Sequence, residues 1–337
     1  MKVWQIQSFG IEQLVLTDLP TPKPRRGEVL IRIHAVSLNY RDLLMVGGQY
    51  NPKMALPRIP CSDGAGEVVE VGEDVTQVKV GQRVAGIFMQ NWLDGAPSIE
   101  RTRGALGGDC DGMLAEYVVL PQSGVVPFPE HLSYAEAATL PCAGVTAWNA
   151  LRRASQIAPG QVVLIQGTGG VSIFALQLAR MMGATVLGTS SSDEKLARAR
   201  VLGLHAGVNY RGTPDWAKWV LQQTGSRGAD LIVEVGGAGT FQQSLQAVCV
   251  GGTVAQIGVL SQSTQPLPIA LLLHRQIRVQ GIYVGSRADF EALNQAISAN
   301  GTRPVVDRIY GFTEVREAMK AMESGVHFGK IAIQIAV

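Results

Sequence analysis

Val162-Val163-Leu164-Ile165-Gln166-Gly167-Thr168-Gly169-Gly170-Val171-Ser172 is the stretch that decides the fold. An apolar run of strand length empties into Gly167, Gly169 and Gly170, and beyond them Phe174, Leu176, Leu178, Met181 and Met182 fall at helical spacing. The pattern predicts a strand, a tight turn and a helix. Such a turn suits a pyrophosphate. Residues without side chains let the backbone come close, and the N–H groups and positive dipole at the helix start favour negative charge. Ser172 stands at the third fingerprint position in place of glycine, so the assignment has to come from the surrounding sequence.

A second apolar run, Thr185 to Thr189, follows the helix and leads through Ser190, Ser191 and Ser192 into Asp193-Glu194-Lys195. In a dinucleotide fold the end of this second strand, about 20 residues past the glycines, normally carries an Asp or Glu on the adenosine ribose diol. Here Thr189, Ser190 and Ser191 hold that place. Hydroxyls do not repel a 2′-phosphate as a carboxylate would. Lys195 lies one turn into the next helix, and Tyr210 and Arg211 end the following segment. These residues predict NADP(H) rather than NAD(H), with Asp193 read as the helix N-cap.

At 337 residues the chain is long for one domain and comfortable for two. A hydrophobic share of 46%, charge of 17% and mean hydropathy of +0.15 fit a soluble globular enzyme. The net charge of +2 gives no composition-based case for nucleic acid or an anionic membrane. Neither a signal peptide nor a bilayer-length apolar run is evident, which predicts a cytoplasmic protein. Cys61, Cys110, Cys142 and Cys249 lack C-x-x-C spacing, which argues for free thiols.

Up to about residue 122, short apolar strands are punctuated by Pro20, Pro22, Pro24, Gly27, Gly72, Gly81 and Gly112, the texture of a compact barrel-like module. From Tyr134 helices set in, and strand and helix then alternate through six strand candidates, from Val162 to Val284, as in a doubly wound parallel sheet. The last stretch, with a helix from Val315 and a terminal strand from Lys330 to Val337, is expected to return to the first module. The predicted division is therefore 1–122 with 301–337, and 123–300.

This order resembles the medium-chain dehydrogenase/reductase superfamily, as do Gly64-Ala65-Gly66-Glu67-Val68 with Val71-Gly72, Val80-Gly81-Gln82-Arg83-Val84, Gly112-Met113-Leu114-Ala115-Glu116-Tyr117 and Pro141-Cys142-Ala143-Gly144-Val145-Thr146-Ala147. The resemblance implies an α/β fold: a Rossmann sheet with a GroES-like β-barrel catalytic domain, and a nicotinamide cofactor between the two lobes. It also places the zinc-ligand positions of the metal-dependent branch on Asn39, Ser62 and Cys142. Asn39 and Ser62 are poor zinc ligands and one thiolate cannot hold the ion, so no metal is expected. Cys61, Cys142 and Asp63 leave an unusual site as the alternative.

The run Asn39, Asp42, Gly48-Gln49-Tyr50 resembles the zinc-free quinone and enoyl reductases. The resemblance makes Tyr50 the hydrogen-bond donor or acid at the substrate and puts Asn39 near the nicotinamide and the substrate carbonyl. Leu44 departs from a second Tyr in some quinone reductases. Arg41 with Asp42 is read as an internal ion pair. Cofactor contacts implied by the resemblance are Thr146, Gly167, Thr168, Gly169, Gly170, Val171, Ser190, Ser191, Lys195, Tyr210, Gly236, Gly258, Tyr283, Gly285, Arg287 and Lys330. The strand Ile277 to Val284 is expected at the sheet edge, pairing with a second copy in a homodimer. The expected activity is NADPH-dependent hydride transfer to a quinone or α,β-unsaturated carbonyl. An NAD(P)-dependent alcohol dehydrogenase and a non-catalytic NADPH-binding protein are the alternatives.

Overall fold

The computed structural model describes residues 1–260 and 268–335; positions 336–337, the end of the expected terminal strand, lie outside the described residues. The chain divides into two compact units, Met1–Val145 with Gly285–Val337, and Thr146–Val284.

The second unit is built on six strands: Val162–Gln166, Thr185–Ser190, Ala206–Asn209, Ala229–Glu234, Val248–Gln256 and Arg278–Gly281. Across the sheet they run third, second, first, fourth, fifth, sixth, and every pairing is parallel. Helices cover such a sheet on both faces, so its central strands must be apolar on both sides. Val163, Leu164, Ile165, Leu231, Ile232 and Val233 are accordingly buried in unbroken runs. Order reverses between the first and fourth strands, and ligands bind beyond the carboxyl ends of the strands at such a point.

A polar knot fixes that point. Glu234, fully buried at the end of the fourth strand, accepts from Gln166 Nε2 at 2.7 Å, from the Ser244 and Thr240 hydroxyls, and from the N–H groups of Gly236 at 2.8 Å and Gly237 at 3.0 Å. Gln166, the last residue before the glycine turn, is thereby tied to the neighbouring strand.

The first unit carries a seven-stranded sheet in which the long strand Glu28–Ser37 is central. One edge of that strand pairs with Asp63–Val71; the other is shared by Tyr117–Pro121 and Lys330–Gln334. Its core gathers Ile31, Ile33, Val68, Leu114, Phe312, Met319 and Ile331, so the tail of the chain is packed into the module formed by its start.

The unit boundaries fall at Val145/Thr146 and Val284/Gly285, not at 122/123 and 300/301. Local pairing is the reason. Val125–Pro127 joins the sheet beside Arg83–Gly86, and helix Arg287–Asn300 packs on it, Asn294 Nδ2 donating to Pro127 O at 3.0 Å. The expected strand Ile277 to Val284 is also shorter, Arg278–Gly281. Val284 adopts φ 57°, a left-handed conformation strained for a β-branched residue, and its carbonyl accepts from Asn149 Nδ2 at 2.7 Å. Among the described residues no helix is long and apolar enough to cross a membrane.

Glu234→Ala removes an acceptor from several buried donors at once. The expected loss is about 1–3 kcal/mol, the range for leaving a buried donor unsatisfied. Urea unfolding followed through Trp216 and Trp219 fluorescence measures it, and an unchanged midpoint would show that the knot does not hold the strands.

Candidate functional site

In the second unit the glycine turn is open. Gly167 adopts φ 66°, its N–H donating to Thr189 O at 2.8 Å, and Gly169 caps helix Gly170–Met181. A Cβ added at Gly167 or Gly169 would meet no atom within 4 Å. The space over this helix start can therefore take a phosphate group, with Thr168, Gly170 and Val171 alongside. Ser172 does what a third glycine would not: its hydroxyl donates to Gln166 O at 2.6 Å and ties the first helical turn to the strand.

Two other predicted glycines have a different reason. A Cβ at Gly258 would sit on the Val235 carbonyl, and one at Gly236 would collide with Thr240. These glycines are required by contacts within the protein at the ends of the fourth and fifth strands.

Ser190, Ser191, Tyr210 and the helix start bearing Lys195 are gathered at the carboxyl ends of the second and third strands. Tyr210 N donates to Ser190 O at 3.0 Å, and its side chain is exposed. The helix cap is Ser192, whose hydroxyl accepts from Lys195 N at 3.3 Å, and not Asp193. Asp193 occupies the first helical position, where its carboxylate accepts from Asn209 Nδ2 at 3.0 Å. An open turn at a helix start, with hydroxyls and a lysine at the next strand end, fits a dinucleotide. Thr146 is buried in a short α segment flanked by π turns at Leu140–Gly144 and Ala150–Ala154, and Tyr283 is exposed.

Three other residues predicted to face the cofactor lie in the first unit and have contacts there. Gly285 packs so closely on Val145 that a Cβ would lie 2.7 Å from its Cγ1. Arg287 donates to Glu291 and Gln77, both at 2.8 Å, and to Ser123 O at 3.2 Å. Lys330 is 3% exposed, and its ammonium donates to Leu38 O and, at 2.6 Å, to Asn39 Oδ1.

That last bond begins a buried chain. Asn39 stands in extended conformation at the start of helix Tyr40–Val46, its N–H donating to Asp42 Oδ2 at 2.8 Å. Its side-chain Nδ2 donates to Ser62 Oγ at 3.4 Å. Ser62 in turn donates to Asp63 Oδ1 at 2.8 Å, and Asp63 Oδ2 accepts from Cys142 N at 3.1 Å. Burial raises the Asp63 carboxyl, opposed by Lys330. Burial also raises Asp42, to about 6, and its Oδ1 has no hydrogen-bond partner. The Cys142 thiol is pushed far up by burial and by Asp63.

Tyr50 belongs to a neighbouring cluster. It is 44% exposed, and its ring lies against the Arg41 guanidinium at 5.5 Å. Arg41 also stacks on Phe88 at 4.8 Å and donates to Leu106 O at 2.9 Å, contacts that the expectation of an ion pair with Asp42 did not include. Neither Lys330 nor Arg41 announces these contacts in the sequence: Lys330 is 291 positions from Asn39, and Arg41 is 65 from Leu106.

The residues at the zinc positions do not fit the metal. An amide and a hydroxyl are weak ligands, one thiol alone cannot hold the ion, and an ammonium already bonds the amide oxygen. Among the described residues no group of three or more His, Cys, Asp or Glu could hold an ion.

Residues 25–130 match the alcohol dehydrogenase GroES-like domain, and residues 170–299 match the zinc-binding dehydrogenase family. A zinc-type alcohol dehydrogenase-like protein of Schizosaccharomyces pombe is 43% identical over 97% of this chain and 96% of its own length. An acryloyl-coenzyme A reductase of Sulfurisphaera tokodaii is 28% identical over 95% of this chain and 96% of its own. The solved structure of the quinone oxidoreductase from Coxiella burnetii, 29% identical, superposes with a TM-score of 0.80 over 100% of this chain and 99% of that one. With both domains matched and likeness running the length of the chain, the protein belongs to the medium-chain dehydrogenase/reductase superfamily, as an oxidoreductase of a family that works with a nicotinamide cofactor.

Proposed function

We propose that the protein is an NADPH-dependent oxidoreductase that passes hydride to a quinone or an α,β-unsaturated carbonyl without zinc. The observation that carries this reading is the donor set around Asn39: an amide, a hydroxyl and an ammonium where a Lewis acid would need soft ligands. Within this set the Asn39 amide N–H can stabilise an oxyanion by hydrogen bonding, which suffices for an acceptor that is already electrophilic. The names of two relatives point the same way, since acryloyl-coenzyme A is an α,β-unsaturated thioester and a quinone is an activated acceptor.

A bound reduced nicotinamide supplies the hydride. On this reading the glycine turn at Gly167 and Gly169 holds its pyrophosphate, and Ser190, Ser191, Lys195 and Tyr210 surround the adenosine 2′-phosphate. In the first unit Asn39 Nδ2 donates to the acceptor oxygen on which charge collects. Tyr50 O–H donates to the same oxygen and is reprotonated from water.

NADPH oxidation with a simple quinone and a simple enone tests the reaction. No turnover with any activated acceptor, or turnover that depends on stoichiometric zinc by elemental analysis, would overturn it. Tyr50→Phe is expected to lower kcat by about 10²-fold, the lower end for loss of a general acid, with NADPH affinity unchanged. An unchanged kcat would remove Tyr50 from the chemistry. Lys195→Ala should weaken NADPH about tenfold, the scale of one charge-assisted contact, and leave NADH nearly untouched. Equal losses for both nucleotides would eliminate the phosphate-reading role.

The same reading includes a homodimer. Strand Arg278–Gly281 pairs with Val248–Gln256 on one side, all four of its residues are exposed, and the nearby Ile269 and Leu273 on helix Ile269–Arg275 are exposed as well. An exposed sheet edge with apolar side chains such as Val279, Ile269 and Leu273 near it is suited to a second copy. Light scattering should give twice the chain mass, and Val279→Pro should give monomer; a monomeric parent protein contradicts the assignment.

A further inference from the structure

One charged side chain beside the acceptor residues has no task in that reaction. Lys330 is 3% exposed, and a buried ammonium is costly unless its protons are engaged. It donates to two carbonyl oxygens, Leu38 O and Asn39 Oδ1. The second bond, 2.6 Å long, decides which way the Asn39 amide faces. Turned over, the amide would set Nδ2 against the ammonium, donor against donor. With Oδ1 held, Nδ2 is the donating end, turned toward Ser62 and the Asp63 carboxyl. Its contact with Ser62 Oγ is long at 3.4 Å, and Ser62 spends its own proton on Asp63 Oδ1 at 2.8 Å. Ser62 therefore accepts from Asn39 and does not compete with it as a donor. Each bond in the series fixes the direction of the next, from a cation at one end to a carboxylate at the other.

The geometry points to Lys330 as a positioning residue for the reduction. Its ammonium locks the Asn39 amide and draws electron density toward Oδ1. This strengthens Nδ2 as a donor to the acceptor oxygen while negative charge builds there. Lys330 acts through Asn39 and does not touch the substrate. The inference rests on the reading above, in which Asn39 faces the acceptor.

The test places Lys330→Gln and Lys330→Arg in the wild-type and Asn39→Ala backgrounds, with NADPH and a simple quinone as substrates. NADPH affinity is followed by fluorescence and folding by thermal melting. In the wild-type background Lys330→Gln is expected to lower kcat by about 10- to 100-fold, the worth of one charge-assisted hydrogen bond, with NADPH affinity and the acceptor KM little changed. Lys330→Arg, which keeps the charge, should restore most of that loss. In the Asn39→Ala background neither substitution should lower kcat further. Equal losses in both backgrounds would overturn the inference, because Lys330 would then act on the fold and not through Asn39. Should Lys330→Gln fail to fold, Lys330→Arg carries the comparison alone: a modest loss with Asn39 present and none without it is expected, and equal loss overturns the proposal. Absence of turnover in the wild-type protein is a different result, which removes the underlying reaction.

Discussion

The first unit holds a buried positive charge joined to a buried carboxyl through the side chains of Asn39 and Ser62. Lys330 and Asp63 are both nearly inaccessible, and Asn39 and Ser62 stand between them. Taking an ion out of water costs several kcal/mol, which is recovered only if every donor and acceptor is met. That requirement pins three remote pieces of chain: the terminal strand Lys330–Gln334, the start of helix Tyr40–Val46 and the strand Asp63–Val71. Cys61, just ahead of that strand, is held at φ 69°, and Gly107 and Gly112 approach its backbone where no Cβ would fit. The strain is tolerated because the surrounding contacts over-determine the loop.

A related device serves the second unit with a different charge arrangement. Glu234 gathers donors from the end of the first strand, from the loop after the fourth and from the helix beyond it. The knot stiffens the crevice where order in the sheet reverses and leaves the glycine turn next to it unfilled. The glycines thus divide by what a side chain would meet. Gly167 and Gly169 face open space, where a ligand can come close to the backbone; Gly236 and Gly258 face their own chain. All four end or follow parallel strands, and only the packing separates the two kinds.

This explains how much the sequence could reveal. The six strands of the parallel sheet are legible because a sheet covered on both faces demands apolar runs, and the runs within Val162–Gln166 and Ala229–Glu234 are of that kind. The glycine turn was legible because its signal is local. The position of Lys330 was not, since nothing near it in sequence tells that its partner is Asn39. Arg41 was read as a partner for the adjacent Asp42, the nearest opposite charge, whereas the aromatic faces of Tyr50 and Phe88 and the Leu106 carbonyl claim its guanidinium. The helix cap after the second strand was misplaced by one residue, between Ser192 and Asp193, because both are good caps and backbone geometry chooses between them. The unit boundary differs from the expected one for a similar reason: a short strand such as Val125–Pro127 declares its sheet only through pairing.

Asp42 marks how far the burial of charge has been taken. Its Oδ2 accepts from Asn39 N at 2.8 Å, its Oδ1 has no partner, and its pKa is raised to about 6, chiefly by burial, against the pull of Arg41. A carboxyl whose folded pKa lies above its unfolded value favours the protonated form. Its ionisation therefore opposes folding: the cost is absent below about pH 4, grows as pH rises to about 6, and from there on amounts to about 3 kcal/mol. Packing alone would be better served by an apolar side chain here. An acid retained at that cost three residues from Asn39, beside Lys330 and Asp63, holds the start of the helix through the Asn39 N–H and so fixes the backbone from which the Asn39 amide projects. The carboxylates and cations of this cluster are thus arranged around the orientation of one neutral side chain, and stability is spent on keeping that orientation single.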